Sequence, residues 1–225
     1  MTVGFRVSER PITRDAELIR RAAALPVANI GDVMQRMQAM RGGFRAFGGR
    51  RGVVGSAVTV RVRAGDNLML HRAIDLAQPG DVVVCDGGGD LSVAVAGDLM
   101  IGHALQRGVA ALVVDGAVRD IGNLHGMDIG VWACAATPAG PYKDGPGEIG
   151  YPVACGGQVV LPGDLIAADE DGVVVIPQAD AAAVIAAAEA HAAKEAQFTA
   201  AIAAGRWDRA WIDETLAAKG CEVSR

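Results

Sequence analysis

The chain predicts an α/β fold, and three observations carry that expectation. Runs rich in β-branched residues, bounded by Gly, Pro or Asp, recur along it; stretches with helical apolar spacing lie between them; and one turn-plus-strand pattern occurs twice. At 225 residues the chain is long enough to bury a substantial core. Its hydrophobic fraction of 51% comes largely from Ala and Val, with 4% aromatics and 30 glycines, so the core is expected to pack through small side chains joined by many turns.

In chain order, residues 14–24 and 30–40 carry apolar residues at helical spacing, and in the second Ile30, Val33, Met34, Met37 and Met40 form one stripe, which reads as core. A glycine-rich loop follows with Arg41, Arg45, Arg50 and Arg51, a charge run that reads as solvated surface. Strands are expected at Ala57–Val62, Val82–Cys85, Ala111–Asp115, Ile129–Cys134 and Val173–Ile176, with helices at 67–77 and 95–107. Gln78-Pro-Gly-Asp and Leu161-Pro-Gly-Asp each put Pro and Gly at the centre of a type II turn before an apolar strand; both read as structural turns. After Pro177, alanine-rich residues 178–204 predict one long helix stopped by Gly205, and a short helix near 208–218 carries Trp207 and Trp211 on one face, set to pack on another element or subunit.

A net charge of −5 gives neither a basic face for nucleic acid nor a polybasic patch for lipid, so a small-molecule partner is expected. No apolar run reaches the ~18 residues of a membrane-spanning helix, and the opening residues with Arg6, Glu9 and Arg10 do not read as a signal peptide. The cytoplasm is the expected compartment. Cys85, Cys134, Cys155 and Cys221 lie far apart without a C-x-x-C pair, which suits reduced, structural thiols.

The chemistry concentrates between Val95 and Asp120. Gly97 and Asp98 open a helix that ends at Gly108; a buried strand runs to Asp115, and a turn at Gly116 leads to Arg119-Asp120. A helix opening at a glycine offers free N–H groups, here from Leu99 and Met100, and the positive end of the helix dipole, both suited to an anion. Arg119 offers a fork matched to a carboxylate, and Asp98 and Asp120 offer hard oxygens suited to Mg²⁺ or Mn²⁺. Spacing alone leaves a bland reading open: Asp98 as a helix cap and Arg119-Asp120 as a surface pair.

The Asp-x20-Arg-Asp pattern formed by Asp98, Arg119 and Asp120 resembles the metal-binding signature of the 4-hydroxy-4-methyl-2-oxoglutarate / 4-carboxy-4-hydroxy-2-oxoadipate aldolases, class II pyruvate aldolases whose family also contains RraA, the regulator of RNase E activity. Similarity extends through GSAVTV (55–60), GDN (65–67), QPGDVVVCDGGG (78–89), RGVAALVVDGAVRD (107–120), PVACGG (152–157) and PGDLIAADEDGVVVIP (162–177). The resemblance implies a swivelling β/β/α-type domain over residues 1–177, with a C-terminal helical extension over 178–225 that packs on a neighbouring subunit of a homotrimer or homohexamer. It implies that Asp120 binds the divalent metal, that Asp98 holds a metal-bound water, and that Arg119 binds the pyruvyl oxygens beside the amides of Gly97–Met100. Asn67 and Lys143 resemble residues that contact the far end of the substrate, and Glu195 resembles a glutamate that reaches the neighbour's site. One departure is Asn123, where aldolase-like members commonly carry an acidic residue.

Breaking a C–C bond beside a pyruvate enolate requires a lysine imine or a metal Lewis acid. Lys143, Lys194 and Lys219 are the only lysines, and none lies in an apolar strand where a lowered pKa would be expected, which favours the metal. The expected activity is therefore a Mg²⁺- or Mn²⁺-dependent lyase acting on a 2-oxo acid, with oxaloacetate decarboxylation as a side activity. The alternative is a non-enzymatic regulator of the RraA type that docks on RNase E.

Overall fold

The computed structural model describes residues 2–41 and 43–222. Its centre is four parallel strands, β3 (Val53–Val62), β4 (Val82–Ala96), β5 (Ala111–Val118) and β6 (Gly130–Ala136), with Ala57 beside Val82, Val82 beside Ala111, and Ala111 beside Gly130. Strand side chains alternate between faces. Val83, Cys85, Leu112, Val114, Val131 and Ala133 pack with α3 (Leu68–Leu76) and α4 (Asp98–Gln106), through Leu70, Ile74, Ile101 and Ala104. Val82, Val84, Ala111, Val113 and Trp132 pack the other way, onto β8 (Val153–Cys155), β10 (Leu165–Ala168) and β11 (Val173–Ile176). Both faces are thus buried, which explains why these strands read as continuous apolar runs rather than as alternating ones.

β3 does two jobs. Its first half, Val53–Ser56, pairs antiparallel with β10, which pairs with β11; its second half joins the parallel set and pairs antiparallel with β7 (Gly147–Ile149). The sheet is finished by β1 (Phe5–Val7) beside β7 and by β2 (Arg45–Ala46) beside β6, while β8 pairs with β9 (Gln158–Val160). A third apolar cluster joins β10 and β11 to α1 (Ala16–Ala22), α2 (Val27–Val33) and α6 (Ala181–Ala203), through Ile30, Leu165, Ile176, Ile185 and Ala188. Helices, central sheet and antiparallel hairpins form the expected β/β/α layering.

The repeated turns are built alike. Gly80 and Gly163 sit at φ 88 and 92, which the second central position of a type II turn requires. In each, the Asp carboxylate accepts the N–H three residues back: Asp81 from Gln78 and Asp164 from Leu161, both at 2.8 Å. Asp81 is also clamped by Arg14 at 2.7 and 2.8 Å.

Two expectations need correction. The helix expected over 30–40 ends at Val33, because Gln35 and Arg36 take left-handed φ of 58 and 63 and the chain then pairs with β11 through Ala39. Backbone pairing overrides the methionine stripe: Met40 is buried, but Met37 is 74% exposed. Likewise the strand at Val82–Cys85 continues as β4 to Ala96, through bulges after Asp86, Asp90 and Ala94.

The arginines of the glycine-rich loop are mostly engaged. Arg41 pairs with the buried Asp115 at 3.2 Å, Arg50 with Asp128 at 2.9 Å, and Arg51 donates to the Ala46 carbonyl. The cysteines are free thiols, and burial holds those of Cys85 and Cys155 well above the ordinary thiol range. At the C-terminal end, α6 is tied to α1 by Arg21 and Glu189 at 2.7 Å, whereas α7 (Ala210–Ala218) buries no residue and begins after Trp207, so the expected helix carries Trp211 but not Trp207. Among the described residues, no helix is long and apolar enough to cross a membrane.

Candidate active site

The ends of β4 and β5 bring the candidate residues together. The Arg119 N–H donates to the Ala96 carbonyl at 3.0 Å, so the residue leaving β5 is pinned where β4 gives way to α4. Gly97 makes that junction, and its missing side chain matters: a Cβ there would lie 2.5 Å from Asp120 Oδ2 and 2.9 Å from Arg119 Nε. Asp120 then takes a left-handed φ of 59, uncommon for a side-chain-bearing residue, and opens α5 (Ile121–Leu124).

The polar groups at this junction are linked. Asp120 Oδ2 accepts from the Asp98 N–H at 3.3 Å and forms an ion pair with Arg119 Nε, also at 3.3 Å. Asp98 is the first residue of α4; its Oδ1 accepts from the Leu99 N–H at 2.7 Å and its Oδ2 from Asn123 Nδ2 at 2.7 Å. The amide of Asn123, helped by the Leu99 N–H and the charge of Arg119, holds the Asp98 carboxyl below the usual carboxylate range. One expectation shifts here. The Leu99 N–H is engaged by the side chain of Asp98, which leaves Met100 as the first-turn amide for a ligand.

Beside this group lies a cavity of ≈ 270 Å³, whose lining includes Asn67, His71, Gly97, Met100, Arg119 and Lys143. Asn67 caps α3 and is buried; its Nδ2 donates to the Val95 carbonyl at 2.9 Å, while its Oδ1 is buried without a partner. A buried acceptor left unpaired is costly in a protein that offers it no ligand. Lys143 lies on the loop between β6 and β7, and buried Asp66 fastens that loop by accepting the N–H groups of Asp144 at 2.7 Å and Gly145 at 2.9 Å. Those N–H groups, with that of Leu68, outweigh burial and lower the Asp66 pKa. On the far side of Arg119 a second, more open cavity of ≈ 480 Å³ is lined by Asp120, Asn123 and Thr137.

Gly97, Leu99, Met100, Arg119, Asn67 and Lys143 thus line one cavity, Leu99 being 85% exposed, while Asp120 and Asp98 join it through Arg119 and the hydrogen bonds at the junction rather than as part of its lining. Glu195 is not brought there within the chain. It lies on α6, where its carboxylate accepts from Asn29 Nδ2 at 2.9 Å. Sequence reasoning missed His71, which lies one turn beyond Asn67 on α3; that i, i+4 spacing was the available signal. Desolvation first, then the Lys143 charge, pulls His71 below the usual histidine range, with Asp75 opposing.

Among the described residues, no three His, Cys, Asp or Glu side chains cluster to hold a metal. Asp98 and Asp120 make a pair of hard oxygen donors. That suits Mg²⁺ or Mn²⁺, since Mg²⁺ keeps several waters and uses only one or two protein carboxylates, and it does not suit a closed zinc site.

Residues 27–175 match the RraA-like family, described as Aldolase/RraA. The chain belongs to the RraA-like family. The match runs from α2 into β11 and includes Asn67, Asp98, Arg119 and Asp120. This RraA-like chain is 38% identical over 164 residues to a Halalkalibacterium halodurans protein provisionally named a 4-hydroxy-4-methyl-2-oxoglutarate aldolase, covering 73% of this chain and 78% of that one. It is 37% identical over 150 residues to the 4-hydroxy-4-methyl-2-oxoglutarate aldolase of Thermus thermophilus, covering 67% and 91%. Among solved structures, the RNA-processing inhibitor RraA from Thermus thermophilus superposes with a TM-score of 0.64 at 36% identity, over 68% of this chain and 93% of that one.

Proposed function

We propose that this RraA-like protein is a divalent-metal-dependent aldolase that cleaves 4-hydroxy-4-methyl-2-oxoglutarate or 4-carboxy-4-hydroxy-2-oxoadipate to pyruvate and a second keto acid, and that it also decarboxylates oxaloacetate. The observation that carries this reading is the convergence of Arg119, Asp98 and Asp120 beside a cavity that holds an unpartnered buried acceptor. Relatives named as aldolases narrow the substrate class.

Asp120 would hold the cation, Mg²⁺ or Mn²⁺, with Asp98 completing the site through water, and when bound the cation would supply Lewis-acid stabilisation of the enolate charge. Arg119 binds the carboxylate and 2-oxo oxygens of the pyruvyl end through its planar fork, helped by the Met100 N–H. Asn67 Oδ1 accepts a hydrogen bond from the substrate, and Lys143 with His71 meets its far carboxylate. A base removes the 4-hydroxyl proton; the C3–C4 bond then breaks, its electrons pass into the enolate, and a proton returns to C3 to give pyruvate. That base acts through water and is aided by Glu195 from a neighbouring copy, in a homotrimer or homohexamer. Exposed Phe198 and Ile202 on α6, Trp207 in the linker after it and Trp211 on α7 support such an assembly.

The likeness to the Thermus RNA-processing inhibitor favours a second reading, a regulator that binds RNase E. Pyruvate release from the two aldol substrates, set beside a pull-down with RNase E, separates the two. Release without RNase E capture supports the aldolase; capture without release supports the regulator.

A further inference from the structure

Asn123 is used by neither the cavity chemistry nor the fold core, yet it is bound into the polar group at the junction. Its side-chain amide donates to Asp98 Oδ2 at 2.7 Å, and its backbone N–H donates to the carbonyl of Asp120 at 2.9 Å. The residue is thus fixed by one carboxylate-bearing residue and holds the carboxylate of the other. With the Asp98 N–H on Asp120 Oδ2, the three residues close a ring of hydrogen bonds between α4 and α5. Asp98 consequently has both oxygens engaged, Oδ1 by the Leu99 N–H and Oδ2 by Asn123, so its carboxylate cannot rotate freely.

We propose that Asn123 is a positioning residue that orients the Asp98 carboxylate toward the cation shared with Asp120 and limits that site to two carboxylates. The assignment rests on the metal-dependent reading above. An amide can donate where a carboxylate cannot. An aspartate at 123 would lose the hydrogen bond and place a third negative charge against Asp98, giving a site that repels itself when empty and offers a third hard ligand when a cation enters. Partners that orient metal-binding carboxylates typically change metal affinity or activity by about 10–100-fold when removed.

The test is Mn²⁺ binding by titration calorimetry, without substrate, on the full chain as wild type, N123A and N123D, with thermal melts in EDTA as a check on folding. Because Asn123 is exposed on a short helix, N123A is expected to melt as the wild type does. N123A should bind Mn²⁺ at least about 10-fold more weakly than wild type. N123D should bind more tightly than N123A, and its melting temperature should rise more on adding Mn²⁺. An N123A affinity within twofold of wild type, or an N123D no tighter than N123A, overturns the role of Asn123 and leaves the aldolase reading standing. A wild-type protein that binds no Mn²⁺ overturns both.

Discussion

Arg119 is held at two points, its N–H by the Ala96 carbonyl and its Nε by Asp120, and its Nη1 lies where a Cβ at Gly140 would approach to 2.8 Å. A lysine keeps the charge but not the fork, so Arg119→Lys is expected to lose on the order of 10²–10³-fold in kcat while the protein stays folded. Asp120→Ala should instead raise the Mg²⁺ concentration needed for half-maximal activity. Near-wild-type kcat in the first variant and unchanged Mg²⁺ dependence in the second would return this pair to the status of a surface ion pair. Gly97→Ala tests the packing around them. The backbone φ of −142 accepts alanine, so the strain falls on Asp120 and Arg119 rather than on the fold. A melting temperature near wild type with kcat reduced by about 10²-fold is the expected result; a fully active G97A would show that these side chains can move without consequence.

At the scale of elements, the loop carrying Lys143 depends on Asp66. Three backbone N–H groups converge on a fully buried carboxylate and lower its pKa, so its contribution to stability is present above the unfolded-state value near 3.9 and is lost as pH falls through the lower folded value. Asp66→Asn should cost about 2 kcal/mol in urea denaturation at neutral pH, and the gap from wild type should narrow in acid. A pH-independent gap would argue against the charged hydrogen bonds as its source. The central strands and both type II turns were legible because β-branched runs and Pro-Gly pairs act locally. The short strands β1, β2 and β7 were not, since two or three residues carry no period and their pairing comes from distant chain. The same division runs through the site. Asp98, Arg119 and Asp120 became candidates through a spaced motif, and Asn123 stood out as a departure beside it, whereas the hydrogen bond from Asn123 to Asp98 and the hold of Asp66 on the Lys143 loop are contacts that only the folded chain creates.

At the scale of the whole molecule, α7 buries nothing, and Trp207 and Trp211 remain 39% and 56% exposed with Arg209 stacked on the first. The assembly proposed above would cover these exposed aromatics and would bring Glu195 of one copy to the Arg119 of another. Co-expression of Arg119→Ala with Glu195→Gln should restore part of the activity that each variant lacks alone, because mixed assemblies contain sites with both native residues. No recovery, together with a monomer in ultracentrifugation that turns over normally, would contradict shared sites. The central claim, a two-carboxylate metal site driving enolate chemistry, is tested most directly by pyruvate release from 4-carboxy-4-hydroxy-2-oxoadipate, 4-hydroxy-4-methyl-2-oxoglutarate and oxaloacetate, in EDTA and again after adding Mg²⁺. The account predicts release that EDTA abolishes and Mg²⁺ restores; full release in EDTA, or none from any of the three substrates with Mg²⁺ present, would contradict it.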